Sequence, residues 1–124
     1  MFTHVVVGSN DLAKSKAFYD AIFTAIGGNP GMDMGTRLAY AHKGSNFMIS
    51  TPINGQPATF ANGGTIGFAM DSNEQDNAWH DAGVAAGGTS CEDPSWVRDL
   101  GFANLYLAYL RDPDGNKLCA MLPA

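Results

Sequence analysis

Ala17-Phe18-Tyr19-Asp20-Ala21 is written twice in this chain, returning as Ala78-Trp79-His80-Asp81-Ala82 at an offset of 61 residues. The register carries outward from both copies. Ala25 falls on Ala86, and Val5-Val6-Val7 falls on Ile66-Gly67-Phe68. A fixed period sustained over half the length marks a duplicated structural unit. Two modules of about 60 residues follow, each opening with a strand and then a helix.

Around the first copy, Thr3 to Gly8 reads as a β-branched strand, and Asn10-Asp11 offers a helix cap. Ala13, Ala17, Ala21 and Ala25 form one row, with Phe18, Ile22 and Ile26 beside it, and Gly27-Gly28 stops the helix. This stripe predicts core, with Tyr19 and Phe23 widening it. Around the second copy, Ser72 followed by Gln75 fits a capping box, and Gly87-Gly88 ends the helix.

The remaining strands read from turn chemistry. Arg37 to Ala41 and Phe47 to Thr51 flank Lys43-Gly44-Ser45, and a short irregular strand fits within residues 29–35. Leu105 to Leu110 and Lys117 to Leu122 flank Asp112-Pro113-Asp114-Gly115, where proline presets φ and glycine accepts the left-handed position. Gly44 falls on Gly115 and Pro52 on Pro123 at an offset of 71, so ten extra residues belong to the stretch from Thr89 to Gly101, which reads as a strand followed by a long looped excursion. The expectation is one α+β domain of two tandem β-α-β-β-β modules. Module one spans 1–52, a linker 53–63 and module two 64–124, with curved sheets forming a cup and the helices outside.

Composition narrows the function classes. The 124 residues suffice for one core and not for two independent ones. Seven basic residues, scattered along the chain, face twelve acidic ones, which argues against a nucleic-acid partner. No apolar run reaches membrane-span length and no secretory signal is visible, so a cytoplasmic protein with no membrane partner is expected. Cys91 and Cys119 make neither a disulfide framework nor a metal-ligand spacing and read as free thiols. Ser45, Ser50, Ser90 and Ser95 sit in no nucleophile elbow.

The doubled module, the opening Thr-His-Val-Val-Val with Asp-Leu and Ala-Phe-Tyr, and the terminal Arg-Asp-Pro-Asp-Gly-Asn-Lys-Leu together resemble the glyoxalase/bleomycin-resistance/dioxygenase superfamily, the vicinal oxygen chelate proteins. The resemblance covers essentially the whole chain. It implies a cup in which metal-dependent members place four ligands, usually His and Glu, on the first and last strands of each module. The matching positions here are His4, Met48, Thr65 and Cys119, of which only His4 keeps the type. A Lewis-acid site needs several nitrogen or oxygen ligands and an open position. The resemblance therefore implies a family member that has lost its metal, with no cofactor, and His4 reads equally well as a hydrogen-bonded strand histidine.

What remains is a binding cup. Alternation from His4 turns Val6, Met48, Ser50, Thr65, Gly67, Lys117, Cys119 and Met121 inward. Trp96 and Arg98 on the inserted loop are expected to close over it, the ring by stacking and the guanidinium on an acidic group. Arg37 and Tyr40 with Tyr106 opposite are expected to do the same. The ligand-binding set is thus His4, Arg37, Tyr40, Met48, Thr65, Trp96, Arg98, Tyr106 and Cys119, for a small-molecule ligand in a homodimer. Two other readings stay open: a glyoxalase-like lyase with a metal or acid–base group not placed here, and a dimerising module without catalysis.

Overall fold

The computed structural model describes residues 1–92, 96–99, 101 and 103–124, with the Trp96 side chain outside that description. Module one contains β1 (Val5–Gly8), α1 (Leu12–Thr24), β2 (Met32–Asp33), β3 (Arg37–His42) and β4 (Ser45–Ser50). Module two contains β5 (Ile66–Ala69), α2 (Asn73–Ala85), β6 (Thr89–Ser90), β7 (Trp96–Asp99), β8 (Asn104–Arg111) and β9 (Lys117–Pro123). The expected α+β class holds. The first sheet runs β1-β4-β3-β2 and the second β5-β9-β8-β6, with β7 also on β8, and neither closes into a barrel. In each sheet the opening strand lies parallel to the last one, Val6 opposite Met48 and Gly67 opposite Cys119.

Both helices start where their caps dictate. The Asp11 carboxylate accepts from the backbone of Ala13 and Lys14 at 3.1 and 3.2 Å. Ser72 Oγ accepts from Gln75 N at 3.1 Å, and Gln75 Oε1 accepts from Asp71 N in return. Each helix ends on a left-handed glycine, Gly27 at φ +84° and Gly87 at φ +102°.

One apolar core serves both modules. Phe18, Tyr19, Ile22 and Phe23 of α1 join Trp79 of α2, Leu38, Tyr40, Phe47 and Ile49 of the first sheet, and Leu110, Leu118 and Ala120 of the second. The helices approach closely because Gly83 has no side chain. A Cβ there would lie 2.4 Å from Leu110 Cδ1 and 3.2 Å from Ile22 Cγ2. The opposite sheet faces, carrying Val6, Met48, Gly67, Lys117, Cys119 and Met121, turn away from this core as the alternation predicts.

The inserted stretch is not simply a loop. β6 and β7 both pair with β8, β6 at Leu110–Arg111 and β7 at Asn104–Leu107. The insertion interrupts one edge strand and lets it resume, so Trp96 and Arg98 stand on a strand opposite Leu107 and Leu105. Two short β pieces lacking a strong alternating pattern conceal such an interrupted edge from sequence periodicity.

The turns of each module clasp the other. Asp112 Oδ2 accepts from the Tyr19 hydroxyl at 2.6 Å, Asp114 Oδ1 accepts from Asn10 N at 2.9 Å, and Asn116 Nδ2 donates to Gly8 O at 3.1 Å. Reciprocally, Lys43 of the β3–β4 turn pairs with Asp71 at the start of module two. Asn10 and Asp71 are repeat equivalents, as are Asp114 and Lys43, so the clasp follows the duplication while its chemistry has changed.

Candidate functional site

On the cup face of the second sheet, β6, β8 and β9 align side by side. Tyr109 stands directly opposite Cys119, and Cys91 N donates to Tyr109 O at 3.3 Å on its other side. Two cations lie against the Tyr109 ring: Lys117 Nζ is 4.8 Å from its centroid and Arg98 Cζ 5.1 Å. Both are tied to one carboxylate. Glu92 accepts from Arg98 Nη1 at 3.1 Å through Oε2 and pairs with Lys117 through Oε1. This brings two cations and a carboxylate together over an aromatic ring.

The electrostatics follow from these contacts. The hydrogen bond to Glu92 raises the Lys117 pKa, and the same bond, with Arg98 adding to it against the cost of burial, lowers that of Glu92. Burial raises Tyr109 and pushes the Cys119 thiol up to about 11. Glu92 holds a left-handed backbone, φ +58°, a conformation costing a non-glycine residue about 1 kcal/mol. A cavity of about 310 Å³ adjoins this cluster along the β1–β5 seam, lined by Val6, Thr65 and Lys117 and bordered by Thr59 and Ala61 of the linker and by Gly64.

The expected site residues divide sharply. Arg98 and Cys119 belong to the cationic cluster, and Thr65 and Lys117 share the adjoining cavity. Met48 lies between Val6 and Ala39 on the cup face of the first sheet, with Arg37 on the same face at the far end of β3. The placement of Tyr40 and Tyr106 over the cup is corrected. Tyr40 is buried on the helix side, stacked on Phe23 at 4.7 Å, with its hydroxyl donating to Asp20 Oδ1 at 2.6 Å. Arg37 and Tyr40 are three residues apart on one strand and must face opposite ways. The Tyr106 hydroxyl donates to Asn77 of α2 at 2.7 Å, which also puts it on the helix side. His4 precedes β1, is exposed, and shares a 2.8 Å hydrogen bond with Thr3 Oγ1. The Trp96 side chain lies outside the described residues, although its backbone is placed on β7. Glu92 and Tyr109 escaped the sequence reading. The signal available for Tyr109 was its even spacing from Leu107 and Leu105, with Tyr106 out of phase.

The metal positions do not fit a Lewis-acid ion. Cys119 is buried with a thiol that resists ionisation, Met48 supplies a thioether, Thr65 a hydroxyl, and His4 is the one imidazole among the four. Among the described residues no three His, Cys, Asp or Glu side chains come together as a metal site. No described helix is long and apolar enough to cross a membrane.

No family model matches the sequence, and no curated protein matches it. Solved structures do. A glyoxalase/bleomycin resistance protein from Albidiferax ferrireducens T118 is 56% identical over 98% of both chains, with a TM-score of 0.94. A putative glyoxalase from Bacillus halodurans is 21% identical, over 99% of this chain and 96% of its own, at a TM-score of 0.77. A glyoxalase/bleomycin resistance protein/dioxygenase family enzyme from Burkholderia phytofirmans PsJN is 17% identical, over 96% and 95%, at 0.72. The last two show the shared fold, and the first carries the relationship in sequence as well. The chain belongs to the glyoxalase/bleomycin resistance/dioxygenase family.

Proposed function

We propose that this protein is a metal-independent member of its family that binds a small organic acid in the cup of the second sheet. The observation that carries the reading is the pair of cations, Arg98 and Lys117, gathered against Tyr109 and both bonded to Glu92. An incoming carboxylate replaces Glu92 on one or both cations, and the adjoining cavity beside Thr65 and Val6 takes the apolar part of the molecule.

The high-lying Cys119 thiol argues against a thiolate nucleophile, and the donors at His4, Met48, Thr65 and Cys119 argue against a metal-bound one. Binding, as in sequestration, is therefore preferred to lyase chemistry. The proposal includes a homodimer, supported by the exposed apolar side chains of Val6 and Met121 on the cup face. It also keeps the cytoplasmic location expected from the sequence.

Elemental analysis and calorimetry with a panel of small organic acids test this reading. The expected results are no stoichiometric divalent metal and an acid whose affinity falls about tenfold or more in both Arg98→Met and Lys117→Met. A metal-to-protein ratio near one that disappears in His4→Ala would overturn the metal-independent reading. Acid binding that ignores both cation variants would overturn the cup site.

A further inference from the structure

A second cavity, of about 350 Å³, opens at the other end of the seam between the modules. β1 and β5 are the edge strands of their sheets, and no ladder joins them. The cavity uses this gap. Its lining joins His4 and Val5 to Ile66 through Ala69 and closes against the β3–β4 turn and the end of α1.

Its walls and its mouth differ in chemistry. Phe23, Phe47 and Phe68 make the walls, with ring centroids 5.8 Å apart for Phe23–Phe68 and 5.3 Å for Phe47–Phe68, both edge to face. That arrangement offers ring faces and edges to a further flat ring. His4, His42 and Lys43 stand among the polar lining, and among the described residues no Asp or Glu lines the cavity although acidic residues outnumber basic ones twelve to seven in the chain. Asp71, the partner of Lys43, lies outside the lining. The volume falls within the ordinary range for small-molecule pockets.

We propose that this seam cavity is a second binding site, separate from the cationic cup, that takes a monocyclic aromatic carboxylate. The ring packs among Phe23, Phe47 and Phe68. The carboxylate accepts hydrogen bonds from the imidazoles of His4 and His42 and competes with Asp71 for Lys43.

Benzoate is the probe, titrated by calorimetry and by the ring carbon–proton resonances of His4 and His42. In the wild-type protein, saturable binding is expected at about millimolar or tighter, with both histidine resonances moving along the same curve. His42→Leu, which removes a donor, and Lys43→Met, which removes the cation at the mouth, are each expected to weaken it about tenfold or more. Lys117→Gln alters the cup, lies outside the lining of this cavity, and is expected to leave the benzoate curve read at His4 and His42 as in the wild type. Absence of saturation up to about 20 mM, unmoved histidine resonances, or wild-type affinity in either His42→Leu or Lys43→Met overturns the proposal. Loss of the histidine-read curve in Lys117→Gln also overturns it, placing the ligand in the cup. Failure of organic acids to bind the cup leaves this result unaffected, because benzoate binding here is read at His4 and His42.

Discussion

The Tyr19 hydroxyl donates to Asp112 Oδ2 at 2.6 Å, joining the helix of module one to the last turn of module two. Asp112 also accepts from Asn116 Nδ2 at 2.8 Å and, through Oδ1, from the backbone of Asp114 and Asn116 at 2.9 Å each. The terminal Asp-Pro-Asp-Gly-Asn turn is thus the fastening between modules as well as a hairpin. Tyr19→Phe removes one charge-assisted bond from a buried network and is expected to cost about 1.5–3 kcal/mol in urea unfolding, without change of fold.

The same residue shapes the alkaline limb of stability. Burial, with Asp112 beside it, raises the Tyr19 pKa well above its usual value, and burial with the Asp20 bond raises that of Tyr40. A raised folded pKa means the contribution is complete below the unfolded value, about 10, and is lost as pH rises beyond it. The melting temperature is expected to fall steeply above about pH 10, and less steeply in Tyr19→Phe. Parallel slopes in the two proteins would count against the linkage.

The Asp76 pKa is raised as well, but with no side-chain hydrogen-bond partner among the described residues. Its side chain is fully buried in the first turn of α2, and neither carboxylate oxygen has a hydrogen-bond partner among the described residues. Burial raises its pKa to about 7. Its unfolded value is near 3.9, so the penalty from this one group is absent below about pH 4, grows as pH rises, and is complete above about 7. Asp76→Asn is expected to stabilise the protein at pH 8 by about 1 kcal/mol or more and to change little near pH 4.5. Destabilisation at pH 8 would mean that the charged form is favoured in place.

Gly88 tests the packing of the helices on the second sheet. A Cβ there would lie 2.3 Å from Phe18 Cε1, 2.9 Å from Gly83 O and 3.0 Å from Arg111 O. Two of those neighbours are backbone and cannot rotate away. Gly88→Ala is expected to cost about 1–3 kcal/mol, the range for overpacking. A midpoint within error of wild type would show that the loop after α2 yields.

The cup thiol is expected to be inert. With its pKa pushed to about 11, Cys119 is almost wholly protonated at pH 8, and the residue is 5% exposed. Mass spectrometry after brief iodoacetamide treatment of the native protein should find Cys119 unmodified and modify it once the chain is unfolded. Rapid native labelling would place a thiolate in the cup and reopen nucleophilic chemistry there.

By itself the sequence determined the architecture. Its 61-residue repeat set two modules, Asp11 and Ser72 set the helix starts, and the loss of His and Glu at Met48, Thr65 and Cys119 was readable against the family pattern. These are local signals, carried by spacing and residue type. Tertiary structure decided what the signals did not contain. Alternation separated Arg37 from Tyr40, but only packing on Phe23 and Asn77 told which tyrosines belong to the core side and left Tyr109 to the cup. Glu92 joins Arg98 and Lys117 because an interrupted edge strand returns to β8, and the seam cavity exists because β1 and β5, edge strands of separate sheets, are not joined by a ladder. Such contacts link residues far apart in the chain. Their geometry depends on how two curved sheets and two close-packed helices settle against each other, which no local period encodes.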